Sequence, residues 1–171
     1  MAHHAAASTI LSGQLITVAD LETEQTYHRE KRRLHNRLLH GVGIVEGLGV
    51  SADDDQGDAV IVSPGFALDG LGNEIVVPET VRAQLGACKN ETCFVTLQYA
   101  ETPTDPVPTE DGGSEFVRIT ESFSVELTTA DPCETANTHA LGLARLTRQH
   151  GRWMVDVAYS PKRVVRQEGI R

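Results

Sequence analysis

The sequence predicts a mainly β domain carrying one long N-terminal α-helix. Three observations lead there. From Val18 to His40 the chain is polar and free of Gly and Pro. After Gly41 the glycines come every few residues and the apolar residues fall into strand-like spacing. Beyond that, short Val-, Ile- and Leu-rich runs are separated by Gly, Asp, Asn and Pro clusters, as in antiparallel hairpins. The expected architecture is a compact antiparallel β-sandwich or barrel-like domain.

Residues 1–17 read as a short extended arm. The start, "MAHHAAASTILSG", lacks a basic segment followed by a continuous apolar one, so no signal peptide is expected. The helix is placed at 18–41. Thr17 is a good N-cap, and Asp20 stands three residues on, where a capping box needs an acceptor. Asp20, Glu22 and Glu24 suit the positive end of the helix dipole; Arg32, Arg33 and Arg37 suit the negative end. Gly41 is the expected stop. Its apolar residues are sparse, namely Val18, Leu21, Tyr27, Leu34, Leu38 and Leu39. Leu34 and Leu38 share a face. So thin a stripe does not suit a deep core position. Two arrangements stay open: the helix lies on its own sheet, or it packs against the same helix in other copies.

The β-domain is placed at 42–160. "GVGIVEGLGVSA" suits a strand or strand pair, and "DDDQGD" a turn. "AVIVSPGFALDGLGNEIVVPETV" reads as strand, Pro-Gly turn, strand, Gly-Asn turn, strand. "CFVTLQYA" is a strand. "ETPTDPVPTEDGGSE", residues 101–115, holds three prolines and two glycines and reads as a long contact loop. "FVRITESFSVELT" alternates as a strand, and "HALGLARLTRQHGRWMVDVAYS" gives two strands around the turn "QHG". Residues 161–171 form a basic tail. Seven or eight strands are expected, with no fixed-period repeat.

The net charge is −9 and uneven. Residues 53–138 hold 17 acids and 3 bases, whereas residues 139–171 hold 7 bases and 2 acids. An acidic middle disfavours nucleic acid, since phosphate binding needs a basic face. It suits contacts between copies or with a protein partner, or ordinary solubilising patterning. No apolar run approaches a membrane span, so no membrane insertion is expected.

Chemistry-bearing patterns are few. His28 and His35 lie seven apart on the helix with His40 nearby, but no carboxylate or Cys joins them at metal-ligand spacing. Asp53, Asp54, Asp55 and Asp58 lack the Glu that a calcium loop places twelfth, and read as a hairpin turn. No nucleophile elbow and no Cys–His pairing is recognisable. Asp69 and Glu74 could form a carboxylate pair, but they flank the turn "GLGN" and are expected to face water. Gly41, Gly43 and Gly47 are spaced G-x-G-x-x-x-G and follow a helix, the wrong context for a dinucleotide. Of Cys88, Cys93 and Cys133 one must stay unpaired in a single chain. A Cys88–Cys93 bridge is possible, and reduced thiols are the favoured reading. No catalytic set, metal or cofactor is therefore expected.

One combination of motifs carries more. A helix ends in Leu39, His40 and Gly41; a strand follows with Gly43, Val45, Gly47, Leu48 and Val50. Then come Pro64, Gly65, Ala67, Asp69, Gly72, Glu74 and Ile75 in "SPGFALDGLGNEI", and the segment from Tyr99 to Pro108. In this order, over about residues 11–130, the chain resembles proteins encoded with phage tails and phage-tail-like contractile injection systems. The resemblance implies a structural, non-catalytic component of the baseplate or fibre-attachment region. It would be homo-oligomeric, with a trimer favoured, and would contact other tail or baseplate proteins. It would assemble in the cytoplasm into a tail-like particle that could be released. On that reading the helix and the Pro-rich segment make the contacts, through Tyr27, Arg32, Leu34, Leu38, His40, Pro103, Asp105, Pro106 and Pro108. Gly41, Gly47, Pro64, Gly65, Asp69 and Gly72 shape the turns. The alternative is a carbohydrate- or surface-binding β-module at a fibre tip, for which Tyr99, Trp153 and Tyr159 are the large aromatic candidates.

Overall fold

The computed structural model describes residues 9, 11–53, 58–88, 90–132 and 139–164. Helix α1 spans Val18–His35. The capping box forms as expected: the Asp20 N–H donates to the Thr17 hydroxyl at 3.3 Å, and the Thr17 N–H donates to the Asp20 carboxylate at 2.9 Å. The Thr17 N–H, and then the Thr17 hydroxyl donating at 2.7 Å, hold the Asp20 carboxyl below its usual range. The last turn, Asn36–His40, widens into a π-turn, and the Gly41 N–H donates to the Asn36 carbonyl at 2.9 Å. Gly41 then leaves the helix at φ 76°, a conformation that favours glycine.

Among the described residues ten strands follow: β1 Gly43–Gly47, β2 Val50–Ala52, β3 Ala59–Val62, β4 Gly65–Leu68, β5 Glu74–Val77, β6 Val81–Gln84, β7 Thr92–Pro108, β8 Ser114–Thr128, β9 Ala140–Gln149 and β10 Arg152–Val155. They form three antiparallel sheets with orders β1-β4-β5, β2-β3-β6 and β10-β9-β7-β8. The mainly β fold with one N-terminal helix agrees with the sequence reading. A two-residue turn joins β9 to β10: His150 at φ 50° and Gly151 at φ 80°. Two successive positive φ values match the right-handed strand twist of a tight hairpin.

All three sheets feed one core. Ile44 and Leu48, Val60 and Val62, Ile75 and Val77, Val95 and Leu97, and Leu141, Leu143, Leu146 and Trp153 pack together. Each fully buried aliphatic of this size contributes about 1.5–3 kcal/mol. No side chain of α1 belongs to this core. No helix among the described residues is long and apolar enough to cross a membrane.

Two expectations need correction. The Pro-rich segment 101–115 is not a loop. β7 runs through to Pro108 and pairs with β8 in unbroken register from Phe94↔Thr128 to Pro108↔Ser114, leaving only residues 109–113 as the turn. Prolines are tolerated because β7 loses its second neighbour, β9, after Gln98. From there it is an edge strand with no ladder to interrupt on that side. The second correction concerns the thiols. Cys88 and Cys93 form a disulfide. The short 3-10 turn Leu85–Ala87 precedes Cys88 and brings the two Cα atoms to 6.1 Å, within bridging range. Cys133 lies outside the described residues. The start of the basic tail is docked on β1. Arg163 bridges Ile44 in parallel: the Ile44 N–H donates to the Lys162 carbonyl at 2.8 Å, and the Val164 N–H to the Ile44 carbonyl at 3.0 Å. Gly43 allows this, since a Cβ there would lie 2.7 Å from the Arg163 backbone.

Candidate functional site

Two surfaces stand out, and the helix end connects them. The first is where α1 meets the sheet. Asn36 is buried, and its side-chain amide donates to the Gly72 carbonyl at 3.0 Å and to the Glu74 carboxylate at 3.1 Å. Arg32 faces Glu74 at 3.7 Å, and Arg33 faces both Glu30 and Glu101 at 3.5 Å. Tyr99 donates to Glu101 at 2.9 Å. Burial, then the bond to Glu101, pushes the Tyr99 phenol well above its usual range. The helix is thus held by polar contacts, which answers why so few apolar residues suffice to place it on its own sheet. Gly72 makes the approach possible: at φ +86° it sits so close that a Cβ would lie 2.2 Å from the Arg33 carbonyl oxygen.

Asp69 and Glu74 are structural here. Asp69 is buried rather than water-facing. Its carboxylate accepts from the Leu71 N–H at 2.9 Å, the Asn73 N–H at 2.8 Å and the Asn73 amide at 2.7 Å, closing the "DGLGN" turn. Glu74 is engaged by Asn36 and Arg32. Gly47 and Gly65 face each other where β1 meets β4, beside Pro64; a Cβ on Gly47 would lie 2.0 Å from the Pro64 carbonyl oxygen.

The helix presents its apolar residues outward. Leu38 is 73% and Leu39 70% exposed, while Leu34 is partly covered at 40%. Tyr27 is half-buried under Lys31, whose ammonium sits 5.6 Å from the ring centre. His40 approaches His35, nitrogen to nitrogen, at 3.2 Å. His28 instead pairs with Glu24 at 2.9 Å, so the three histidines do not converge. Asp53 is buried and pairs with Arg82 at 2.6 Å, with β2 and β3 forming a hairpin on either side; Asp54 and Asp55 lie outside the described residues. Among the described residues no three His, Cys, Asp or Glu side chains cluster as metal ligands would.

Next to the helix end an open cleft of about 510 Å³ is lined by Arg37, Leu39, His40, Gly41, Val42, Asp69, Gly70, Lys162 and Arg163. Its rim is basic, because the docked tail sets Lys162 and Arg163 opposite the last helical turn. The sequence placed these bases more than a hundred residues apart, in the helix and in the basic tail.

The second surface is the outer half of the β7–β8 hairpin, an arm from about residue 101 to 121. Pro103, Pro106 and Pro108 are exposed on it, and Asp105, at φ 56°, binds Arg118 at 2.8 Å. Val107, Phe116, Val117 and Ile119 are also exposed there. Sequence reasoning missed these four. The alternation of "FVRITESFSVELT" was visible, but its partner strand had been read as loop, so nothing marked the apolar positions as one surface. Of the aromatic residues considered for sugar binding, Trp153 is buried, Tyr159 packs edge-on against Phe94 at 5.9 Å, and Tyr99 is tied to Glu101.

The chain matches no family model, and no curated protein matches it. Its fold, however, is found in solved structures of a bacterial secretion baseplate. One is a type VI secretion system TssK-TssF-TssG baseplate subcomplex, matched with a TM-score of 0.59 at 11% identity over 91% of this chain. Another is TssK from the EAEC type VI secretion system in complex with a nanobody, with a TM-score of 0.54 at 15% identity over 82%. A further type VI baseplate complex gives 0.54 at 12% identity over 91%. At these identities the likeness is one of fold. This chain spans 61%, 54% and 59% of the three matched chains, so it corresponds to a part of each.

Proposed function

We propose that the chain is a structural, non-catalytic component of a contractile injection particle, working in its baseplate or fibre-attachment region. One observation carries this reading: nearly the whole chain adopts a fold found within a type VI baseplate protein. The sequence motifs resemble proteins of phage-tail-like injection systems, to which type VI secretion is related. Motif order and fold thus arrive at the same kind of machine by separate routes. The site geometry supports a mechanical role. Its carboxylates are spent on turns and helix attachment, while its apolar excess lies on the helix end and the arm. Such surfaces hold assemblies together through buried apolar patches and charge complementarity. On this reading the chain forms a homo-oligomer, with threefold symmetry favoured. It meets other baseplate proteins and assembles in the cytoplasm before any release of the particle.

The test is affinity capture of the tagged chain from its native host, with partners identified by mass spectrometry. Recovery of sheath, tube or baseplate proteins is the expected result. Capture of none of them, with normal expression and folding, would refute the reading.

A further inference from the structure

The arm is a two-stranded ribbon with an exposed apolar side. Its register explains why. Val95, Leu97 and Tyr99 on β7, with Leu127, Val125 and Phe123 opposite on β8, form the face packed on the core. The same face continues outward to Pro103 and Ile119 and, by alternation, to Val117 and Val107. There no sheet of this chain covers it, and Val117 and Ile119 are each 60% exposed. A lone two-stranded ribbon is marginal in water, and this one asks for a cover.

Charge says what the cover is. Around the turn the arm carries Glu110, Asp111 and Glu115, all exposed. The Asp111 carboxyl is held below its usual range by the Thr109 hydroxyl and the Gly113 N–H, so it stays ionised. The cleft at the helix end carries Arg37, His40, Lys162 and Arg163, all exposed, beside the apolar Leu39 and Val42. Among the described residues Arg37, Lys162 and Arg163 form no ion pair within the chain. One surface is acidic and apolar, the other basic and apolar.

The two cannot meet within one chain. The arm leaves the domain at Glu101, beside Arg33, one helical turn before Arg37. Its turn begins eight residues further on, roughly 26 Å away at about 3.3 Å per residue. With its base beside the cleft and its turn that far out, the extended ribbon carries its acids out of the cleft's reach.

We propose that the tip of this arm seats in the basic cleft of a second copy of the chain. Val107 and Val117, which share that face, cover Leu39 and Val42, and Glu110 and Glu115 face Arg37 and Lys162. The contact is head-to-tail, because arm and cleft are different surfaces, so it builds a ring when the rotation closes. This deepens the assembly reading above and rests on its self-association.

The experiment is sedimentation of the full chain over a range of concentrations, in four forms: wild type, Glu110→Lys with Glu115→Lys on the arm, Arg37→Glu with Lys162→Glu in the cleft, and all four together. All four positions are exposed, and unchanged far-UV circular dichroism checks that folding is kept. Each surface variant should weaken self-association by about tenfold or more, and the fourfold variant should recover to near wild type, since reversing both partners restores opposite charges. Three results would overturn the proposal: a wild-type chain that stays monomeric, surface variants that associate normally, or a fourfold variant no better than its parents. A monomeric chain that still captures baseplate proteins would sink this contact alone. Restored self-association by a chain that captures none would sink the baseplate reading alone.

Discussion

The two halves of the β7–β8 hairpin share strands, register and alternation, yet one is core and the other is surface. In the inner half, β7 has β9 on its far side, and Val95 and Leu97 are fully buried. In the outer half, the same pattern of alternate apolar residues continues beyond the domain edge, and Ile119 and Val117 are mostly exposed. Alternation sets which residues share a face. Only the neighbouring elements decide whether that face is covered.

Substitution should separate the halves most sharply. Leu97→Ala removes a fully buried side chain and should cost about 2–5 kcal/mol in urea unfolding. Ile119→Ala should change the stability of the monomer by no more than about 0.5 kcal/mol. Equal costs would mean that the arm belongs to the core after all. At the boundary between the halves, Gly72→Ala forces a Cβ against the Arg33 carbonyl at a left-handed φ, and should cost about 2 kcal/mol. Hydrogen exchange should then show α1 loosened and the inner hairpin unchanged; loosening of both would show that the helix supports the sheet as well as resting on it.

The start of β7 is pinned by the Cys88–Cys93 bridge, which closes a short loop. Its loss, as Cys88→Ser with Cys93→Ala, should lower stability by about 2 kcal/mol, the size expected for a loop this short. Mass spectrometry after alkylation without reductant should find the two thiols blocked in the native chain. The smallest effect concerns pH. Asp156 bonds the Ala158 N–H at 2.8 Å and pairs with Arg145 of β9, the strand that covers the inner half. First the Ala158 N–H and then Arg145 hold its carboxyl below its usual range. A depressed folded-state value means stability that is present above about pH 4 and lost as pH falls through the lower value. Thermal melts of Asp156→Asn should therefore show a shallower loss between neutral and acid pH than wild type. Parallel curves would show that the pair adds nothing to the cover.

Local signals carried much of this structure into the sequence. The capping box of Thr17 and Asp20, the stop at Gly41 and the "QHG" turn depend on neighbours within a few residues, and each is where the pattern put it. The Pro-rich segment misled because proline content speaks of a strand's hydrogen-bonding freedom, and that freedom depends on whether a second strand flanks it. Asp69 misled in the same way: its acid suggested water, and its burial follows from three donors folded back onto it within its own turn. The helix's polar character was legible, but its attachment through Asn36 and Gly72 was not, because thirty-six residues separate the partners.

By itself, then, the sequence determined the element types, the mainly β class and the polar nature of the helix, all set by the period of apolar residues and by local turn chemistry. Tertiary structure alone decided that Lys162 and Arg163 join Arg37 around one cleft, that Cys88 bonds Cys93, and that the apolar face of the hairpin runs out past its cover. The first and the last depend on which distant segments lie side by side, and a one-dimensional pattern of residues holds no measure of that distance; the bridge depends on the short turn that folds Cys88 back towards Cys93.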